Sequence, residues 1–325
     1  MANVPLSNNG PSARGRARLR GSGAAADGPR ERPRRGVGRS PTSRRLIVTA
    51  DDFGLAVPVN EAIEEAHRKG ILTSASLMVA AAGTADAVDR ARRMPTLRVG
   101  LHVVVVEGRP VLDPREVPDL VDSTGEFSSR LVRAGVSFFF RPPVRRQLEA
   151  EIRAQFEAFA RTGLQLDHVN AHNHMHLHPT VFGIILRVGR DFGLRAVRLP
   201  VEPAFRSWRA SRKSLAARLA WRICLSPWLG LMKKRLRRAQ LTSNDFVFGV
   251  HDSGAMHSDL VLRMVGLLPE GVTEIYFHPA TRRCPEIDRT MPEYHHEDEL
   301  QTLTNMSIQQ ALLAGRVQRI AFSDL

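Results

Sequence analysis

From residue 46 onward, short β-branched apolar runs alternate with segments whose apolar positions recur every three or four residues. The first pattern is typical of buried strands and the second of amphipathic helices. The predicted strands lie at 46–50, 74–79, 98–105, 166–170, 195–199, 246–250, 273–277 and 317–322, and the predicted helices lie at 60–69, 84–93, 144–161, 180–190, 259–267 and 308–314. Pro58 and Pro179 lie near the starts of two of these helices, where a missing N–H does no harm.

Strands that alternate with helices indicate an α/β fold built on a parallel sheet. About eight such units in roughly 280 residues favour a distorted (β/α) TIM-like barrel over an open doubly wound sheet. In such a barrel the catalytic rim lies where the strands end. Side chains at those positions are therefore the candidates for chemistry.

The first 44 residues lack this pattern and consist mainly of Arg, Gly, Ser, Pro and Ala. Such a composition buries too little apolar surface to offset the entropy of ordering. We predict a disordered tail at 1–44 and a barrel domain at 45–325. A solvated tail, an upstream start codon and an anion-binding nucleic-acid arm are the alternatives for the role of the tail.

The net charge of +14 is concentrated in two segments. Residues 1–45 hold eleven Arg against two acids, and residues 204–240 hold eleven Lys or Arg and no acid. The remainder of the chain is therefore mildly acidic, which argues against a barrel that binds nucleic acid.

The two cysteines, Cys224 and Cys284, are far apart and form no Cys-x-x-Cys pair. This spacing argues against a disulfide framework and against a thiolate metal site, and it favours a reducing cytoplasm. No run approaches the roughly 20 apolar residues that a membrane-spanning helix requires. An integral membrane protein is not expected.

Charged and imidazole side chains stand at the ends of several predicted strands. The first strand ends in Asp51 and Asp52, the third carries His102, the fourth leads into His172, and the strand at 273–277 is followed by His278. Two adjacent carboxylates in a buried site need a cation or donors to stay ionised. Two imidazoles and one carboxylate are a common set of ligands for a divalent ion.

This pattern predicts a hydrolytic metal centre with one divalent ion. Asp52, His102 and His172 would be its ligands, Asp51 the general base and His278 the acid that protonates a leaving amine. Imidazole ligation favours zinc, and a sphere richer in oxygen would accept magnesium.

Each of these residues also has a structural interpretation. The aspartate pair can cap helices, His102 can be a satisfied core histidine, and the pair His278-Pro279 can shape a turn. The Asp-Phe-Gly tripeptide of protein kinases occurs here without a glycine-rich phosphate loop, so that match is chance.

The histidine segment at 172–178 would place its four imidazoles on one face if it were extended. Only the imidazoles nearest the strand can reach one ion. The others, which are His174, His176 and His178, would line the pocket, cap the helix after Pro179 or face solvent.

At these residues the chain resembles the YdjC-type carbohydrate deacetylases, which include the chitooligosaccharide deacetylases and share a distorted barrel with the polysaccharide deacetylases. The matching motifs are Thr-Ala-Asp-Asp-Phe-Gly at 49–54, Gly-Ile-Leu-Thr-Ser-Ala-Ser at 70–76, Gly-Leu-His at 100–102, the segment 172–178 and Phe-His-Pro-Ala at 277–280. The resemblance implies hydrolysis of the acetamido group of a glucosamine unit by the same metal ligands and base. Asn170 departs from several chitooligosaccharide-active members, which carry Asp there.

Within that family, residues 138–142, 167–172 and 273–279 are similar to the hopanoid-biosynthesis-associated branch. This similarity implies an N-acetylglucosaminyl group on a bacteriohopane lipid as the substrate. A soluble chitooligosaccharide is the alternative.

The insertion at 204–240 contains all three tryptophans among its eleven basic residues. Basic residues mixed with Trp and Leu are typical of segments that lie in an anionic membrane interface. We therefore predict that 206–238 docks on a membrane, which would place the protein peripherally at its inner face. The alternatives are a surface helix pair packed over the barrel and a nucleic-acid-binding segment.

Two other functions compete with deacetylation. A glycosidase would use Asp51 and Asp52 as its two carboxylates, but such pairs stand about 5 Å or more apart across the sugar and come from different strands. A nucleic-acid-binding protein would carry its positive charge over the folded surface.

Overall fold

The computed structural model describes residues 44–325, which form an α/β fold around one parallel sheet. The strands are β1 (Arg44–Phe53), β2 (Ser74–Leu77), β3 (Arg98–Val103), β4 (Leu166–Ala171), β5 (Phe246–Phe248), β6 (Gly271–Phe277) and β7 (Gln318–Ile320). The predicted tail at 1–44 lies, except for Arg44, outside the described residues.

The strand order in the sheet is β4-β3-β2-β1-β6-β5. Every pairing along this path is parallel. β7 pairs with the first half of β1, and β2 pairs with the second half of β1. All strands therefore end at the same rim.

Residues 195–201 fill the space between the edge strands β4 and β5. Val197 forms an isolated parallel bridge to Val169 of β4, and the Val247 N–H of β5 donates to the Val201 carbonyl at 3.0 Å. These contacts join the two edges into a distorted barrel, as predicted. The strand predicted at 195–199 is reduced to isolated bridges.

The helices surround this sheet. They are α1 (Val57–Lys69), α2 (Thr84–Arg92), α3 (Leu131–Phe140), α4 (Pro142–Arg161), α5 (Pro179–Asp191), α6 (Ala204–Ser211), α7 (Leu215–Arg238), α8 (Ser258–Gly266), α9 (Pro285–Thr290), α10 (His296–Thr304) and α11 (Met306–Ala314). All six helices that the periodicity predicts are present. Periodicity alone did not predict α3, α6, α7, α9 and α10, of which α6 and α7 lie in the basic insertion.

The core explains why the middle of β1 is the apolar run Leu46-Ile47-Val48. Its residues are buried from Leu46 to Phe53 because helices and neighbouring strands cover both faces of the sheet. Gly70 ends α1 directly against α10, since a Cβ there would collide with the Leu303 carbonyl. The packed barrel leaves the strand ends as the place where polar side chains converge.

Candidate metal centre at the barrel rim

Two consecutive aspartates enter the site because the end of β1 is irregular. The register with β2 shifts between Ala50 and Phe53, which marks a β-bulge. Asp52 lies there in the left-handed region, with a φ of 61°. A regular strand would point Asp51 and Asp52 to opposite faces, but both side chains are buried at the rim.

Asp52, His102 and His172 form a compact triangle of ligand atoms. Asp52 Oδ1 lies 3.2 Å from His102 Nε2 and 3.2 Å from His172 Nδ1, and the two nitrogens are 3.4 Å apart. Bonds of about 2.0–2.2 Å to one ion would place the ligand atoms at roughly such separations, whether in tetrahedral or octahedral geometry. The three predicted ligands therefore fit one divalent ion.

The unused polar atoms around the triangle support this fit. Asp52 Oδ2 and His172 Nε2 are buried and have no hydrogen-bond partner among the described residues. Burial alone would raise the pKa of Asp52, but His172 and His102 beside it hold that pKa well below its usual range. The carboxylate is therefore ionised, as a ligand must be.

Asn170 sets the orientation of His102. Its amide Nδ2 donates to Asp51 Oδ1 at 2.9 Å and to Ser76 Oγ at 2.9 Å, which leaves Oδ1 to face His102 Nδ1 at 2.7 Å. Because that oxygen only accepts, the proton of His102 must stand on Nδ1. The lone pair of Nε2 is then directed at the triangle.

Asp51 is held by a buried guanidinium. Both of its carboxylate oxygens accept hydrogen bonds from Arg198, and Arg198 also donates to Glu274 at 2.7 Å. Burial would raise the pKa of Asp51, but the charge of Arg198 lowers it well below its usual range. The predicted base is thus ionised and fixed in place.

His278 lines the same pocket as Asp51, His102 and His172. Its ring stands between those of Tyr276 and Tyr294, with centroid separations of 5.6 Å and 5.2 Å. Burial lowers the pKa of His278 to about 4, and the nearby carboxylates of Asp52 and Asp51 oppose this shift. The imidazole is neutral at neutral pH and would release a proton readily once protonated.

The histidine segment is not extended. Residues His172–Leu177 form a 3₁₀ helix in which Asn173 and His174 have left-handed backbone angles. His174 lines the pocket and its Nε2 lies 3.1 Å from the Tyr276 hydroxyl, whereas His176 is fully buried. The four imidazoles therefore do not share one face.

His178 has the capping role that the sequence allowed. Its Nδ1 accepts from the Thr180 N–H at the start of α5. Its ring contacts Phe138 and Phe139 of α3, with centroid separations of 5.9 Å and 6.2 Å.

Two cavities adjoin the triangle. The first, of about 230 Å³, is lined by Asp51, His102, His172 and His278. The second, of about 270 Å³, is lined mainly by small and apolar residues and by Glu107. Glu107 Oε2 lies 3.9 Å from His172 Nε2, so this carboxylate stands between the second cavity and the metal ligands.

Sequence reasoning missed Arg198, Glu107 and Glu274. Arg198 ends the fifth predicted strand, and the rule that selected the other rim residues would have selected it too. Glu107 lies in the loop after β3 and has a φ of 51°, which no sequence pattern indicates. Glu274 lies within β6 and is fully buried, so its role depends on Arg198.

The basic insertion forms α6 and α7, and α7 is anchored to the barrel. Trp228 Nε1 donates to the Leu177 carbonyl at 2.7 Å. Arg218 is 1% exposed and pairs with Glu202 at 3.2 Å and with Asp252 at 2.8 Å. The inner side of α7 therefore packs over the barrel, as one of the alternatives for the insertion expected.

The outer side of α7 is apolar and ends in basic residues. Leu219, Ile223 and Leu231 are 41%, 69% and 45% exposed. They are separated by multiples of four residues and so lie on one side of the helix. Lys234 and Arg237, which follow, are also exposed. Membrane contact of the insertion stays a prediction.

Within residues 44–325, none of the helices combines the length and the hydropathy needed to cross a bilayer.

Comparison with known proteins gives this site a family. A sequence model of the YdjC-like protein family matches residues 45–314. The chain belongs to the YdjC-like family. The predicted family is thereby confirmed, and the proposed hopanoid-associated branch stays a prediction.

Relatives of this YdjC-like protein cover almost its whole described length. It is 32% identical over 282 residues to the carbohydrate deacetylase of Brevibacillus brevis, across 86% of this chain and 99% of the relative. It is 29% identical over 285 residues to the carbohydrate deacetylase of Geobacillus stearothermophilus, across 86% and 98%.

A solved structure shares the fold. A protein of Enterococcus faecalis V583 described as a cellobiose-phosphate cleavage protein superposes on the YdjC-like chain with a TM-score of 0.69. The two are 24% identical, and the match covers 87% of this chain and 98% of that one. At this identity the likeness concerns the fold alone.

Proposed function

We propose that this YdjC-like protein is a metal-dependent deacetylase that hydrolyses the N-acetyl group of an N-acetylglucosamine unit. The observation that carries the proposal is the triangle of Asp52, His102 and His172 with the carboxylate of Asp51 beside it in one pocket. The names of the relatives, carbohydrate deacetylases over nearly their full length, agree with it.

Asp52, His102 and His172 would hold the ion. When bound, a divalent ion supplies Lewis acidity to the acetamido carbonyl and to the attacking water. Either magnesium or zinc fits the three donors. Asn170 keeps His102 in the tautomer that binding requires.

Asp51 would accept the proton of the water that attacks the acetyl carbonyl. Arg198 and Asn170 keep the carboxylate ionised and aimed, so it is ready at neutral pH. His278, which is neutral in the resting site, would first take up a proton from solvent and would give it to the nitrogen as the carbon–nitrogen bond breaks. Asp51 then releases to solvent the proton that it took from water, so both residues return to their starting protonation, and the products are acetate and the free amine.

We further propose that the amino sugar is carried by a lipid, as the resemblance to the hopanoid-associated branch implies. The exposed apolar side of α7 and its basic end support this proposal, because such a surface suits an anionic membrane interface. The protein would then work peripherally at the inner face of the membrane.

The insertion is better tested by point substitutions than by deletion of 206–238. Removing Arg218 would leave the buried carboxylates of Glu202 and Asp252 without their cation and would unsettle the fold. Leu219→Glu with Ile223→Glu alters only the outer side. Sedimentation with anionic vesicles should fall for this variant, and unchanged sedimentation would remove the insertion from the proposal.

The substrate is tested by incubating the purified protein with an N-acetylglucosaminyl lipid and with soluble chitooligosaccharides. Free amine, scored by mass, is expected from the lipid-linked substrate. Amine from the soluble substrate alone would replace the lipid-linked proposal with the chitooligosaccharide alternative. Release of a reducing end with the acetyl group retained would favour the glycosidase, and salt-dependent DNA binding without hydrolysis would favour a nucleic-acid-binding protein.

A further inference from the structure

Helix α3 exposes an apolar face to solvent. Val132, Val136, Phe139 and Phe140 are 83%, 55%, 48% and 70% exposed. Their spacing of four, seven and eight residues from Val132 places them on one side of the helix. A helix of a water-soluble domain normally turns such a side toward the core, so this arrangement is inverted.

Only a small part of α3 is used for packing. Phe138 is 2% exposed and is the one buried residue of the helix. Its ring contacts the ring of His178. Of the apolar face, Phe139 also contacts His178, and Val132, Val136 and Phe140 are left exposed.

The charged residues of the chain segment that carries this face all have the same sign. From 127 to 148 the chain carries Arg130, Arg133, Arg141, Arg145 and Arg146 and no acidic residue. All five are exposed, and among the described residues only Arg141 has an ion-pair partner, at 2.9 Å. An apolar helical face rimmed by arginine complements an anionic bilayer, which takes the apolar side chains among its acyl chains and the cations at its headgroups.

The position of α3 connects this face to the site. Leu131, its first residue, lines the same cavity as Asp51, His102 and His172. α3 contacts His178, and Trp228 of α7 contacts the adjacent Leu177 carbonyl. Helices α3 and α7, which both have exposed apolar sides, therefore contact neighbouring residues of the segment that follows the proposed ligand His172.

We propose that α3 is a membrane-docking helix, which inserts Val132, Val136, Phe139 and Phe140 into the interface of an anionic bilayer. The mouth of the metal pocket then lies at the lipid surface, beside the end of α3. The inference deepens the proposed function, since a lipid-linked amino sugar presented there needs little extraction to reach Asp51. Its own evidence is the exposure and charge of α3, which do not depend on the reaction.

The test uses the full-length chain and a matched pair of double variants. Val132→Glu with Phe140→Glu changes α3, and Met306→Glu with Leu313→Glu makes the same change on α11, where the two residues are 63% and 78% exposed. Both variants add the same charge, and Leu313 lies just before β7, toward the opposite end of the barrel. Thermal unfolding checks that both fold.

Binding is measured by sedimentation with vesicles of phosphatidylglycerol and phosphatidylcholine. We expect the α3 variant to bind at least about tenfold more weakly than the α11 variant, because it loses two inserted apolar groups and places two carboxylates at the headgroups. Equal binding by the two variants would overturn the proposal. If the wild type and the α11 variant are dimers, the α3 variant is a monomer and the two variants bind vesicles equally, the apolar face would be assigned to contact with a second copy of the chain.

A parallel assay separates this inference from the proposed function. Each variant is also given a soluble N-acetylated chitooligosaccharide, and release of amine is measured. Weaker vesicle binding by the α3 variant, with no deacetylation by any form, would remove the proposed function and keep the docking helix. Deacetylation of the soluble substrate, with equal vesicle binding by the two variants, would keep the proposed function and remove the docking helix.

Discussion

Replacing Asn170 with Leu tests whether the orientation of His102 prepares the metal site. Leu has the same branched arrangement of side-chain heavy atoms as Asn but forms no hydrogen bonds. The change removes the acceptor at 2.7 Å from His102 Nδ1 and the donor at 2.9 Å from Asp51 Oδ1. Asn170 is fully buried, so water does not replace either partner.

The two losses are unequal. Asp51 keeps its hydrogen bonds from Arg198, whereas His102 Nδ1 is left without a partner. One buried polar group without a partner costs about 1–3 kcal/mol of stability. Losing the group that orients a metal-binding imidazole weakens metal affinity by about 10–100-fold. We expect both effects in Asn170→Leu.

Metal affinity is measured by competition with a fluorescent chelator for zinc and for magnesium, and stability by urea unfolding of the metal-free protein. Ser76→Ala is the matched control, because it removes a neutral hydrogen bond to the same amide and another to His168 Nε2 but leaves the contact of Asn170 with His102 in place. We expect its affinity to stay within about twofold of the wild type and its stability to fall by about 1–3 kcal/mol. If Asn170→Leu lost stability but bound metal as tightly as Ser76→Ala, the orientation argument would be refuted.

Three further predictions concern stability. Arg198→Met should destabilise the fold by about 3–5 kcal/mol in urea unfolding, because two buried carboxylates lose their shared cation. Adding Asp51→Asn should restore part of the lost stability. If the double variant recovered no stability, the pairing of Arg198 with Asp51 would be contradicted. Burial raises the pKa of Glu299 to about 7, above its unfolded value, so its contribution to stability is complete below about pH 4.5 and is lost as the pH rises through 7. Between pH 5 and 8 the wild type should therefore lose up to about 3 kcal/mol relative to Glu299→Gln, and parallel pH profiles would show that the residue does not titrate in this way. Gly54→Ala should lower the free energy of unfolding, measured by chemical denaturation, by about 1–3 kcal/mol more than Gly163→Ala does. Both glycines have positive φ, but only a Cβ at Gly54 would meet a backbone carbonyl, 2.8 Å away at Met78; equal losses would show that the contact relaxes freely.

The rim residues could be predicted from the sequence because parallel strands end at one side of a barrel. Asp52, His102 and His172 belong to β1, β3 and the segment after β4, so the topology brings them together once the strands are recognised. The same reasoning placed His278 after β6.

Other features depend on contacts that no local pattern records. The bulge at Asp52 reverses the alternation of side chains that a regular strand would impose. The 3₁₀ geometry after β4 separates His174 and His176 from the ligands, although their spacing suggested a shared face. The apolar positions of α3 recur as in other amphipathic helices, but no local pattern shows that this side of the helix faces outward.

Asp52, His102 and His172 would together hold the ion that deacetylation of the amino sugar requires. Mass analysis of the products formed from an N-acetylglucosaminyl lipid, with and without a chelator, tests this proposal. We expect free amine and acetate with the glycosidic bond intact, no product with chelator or in His172→Ala, and recovery of the chelated wild type when a divalent ion is restored. Deacetylation that persists in chelator and in His172→Ala, or cleavage that leaves the acetyl group in place, would contradict it.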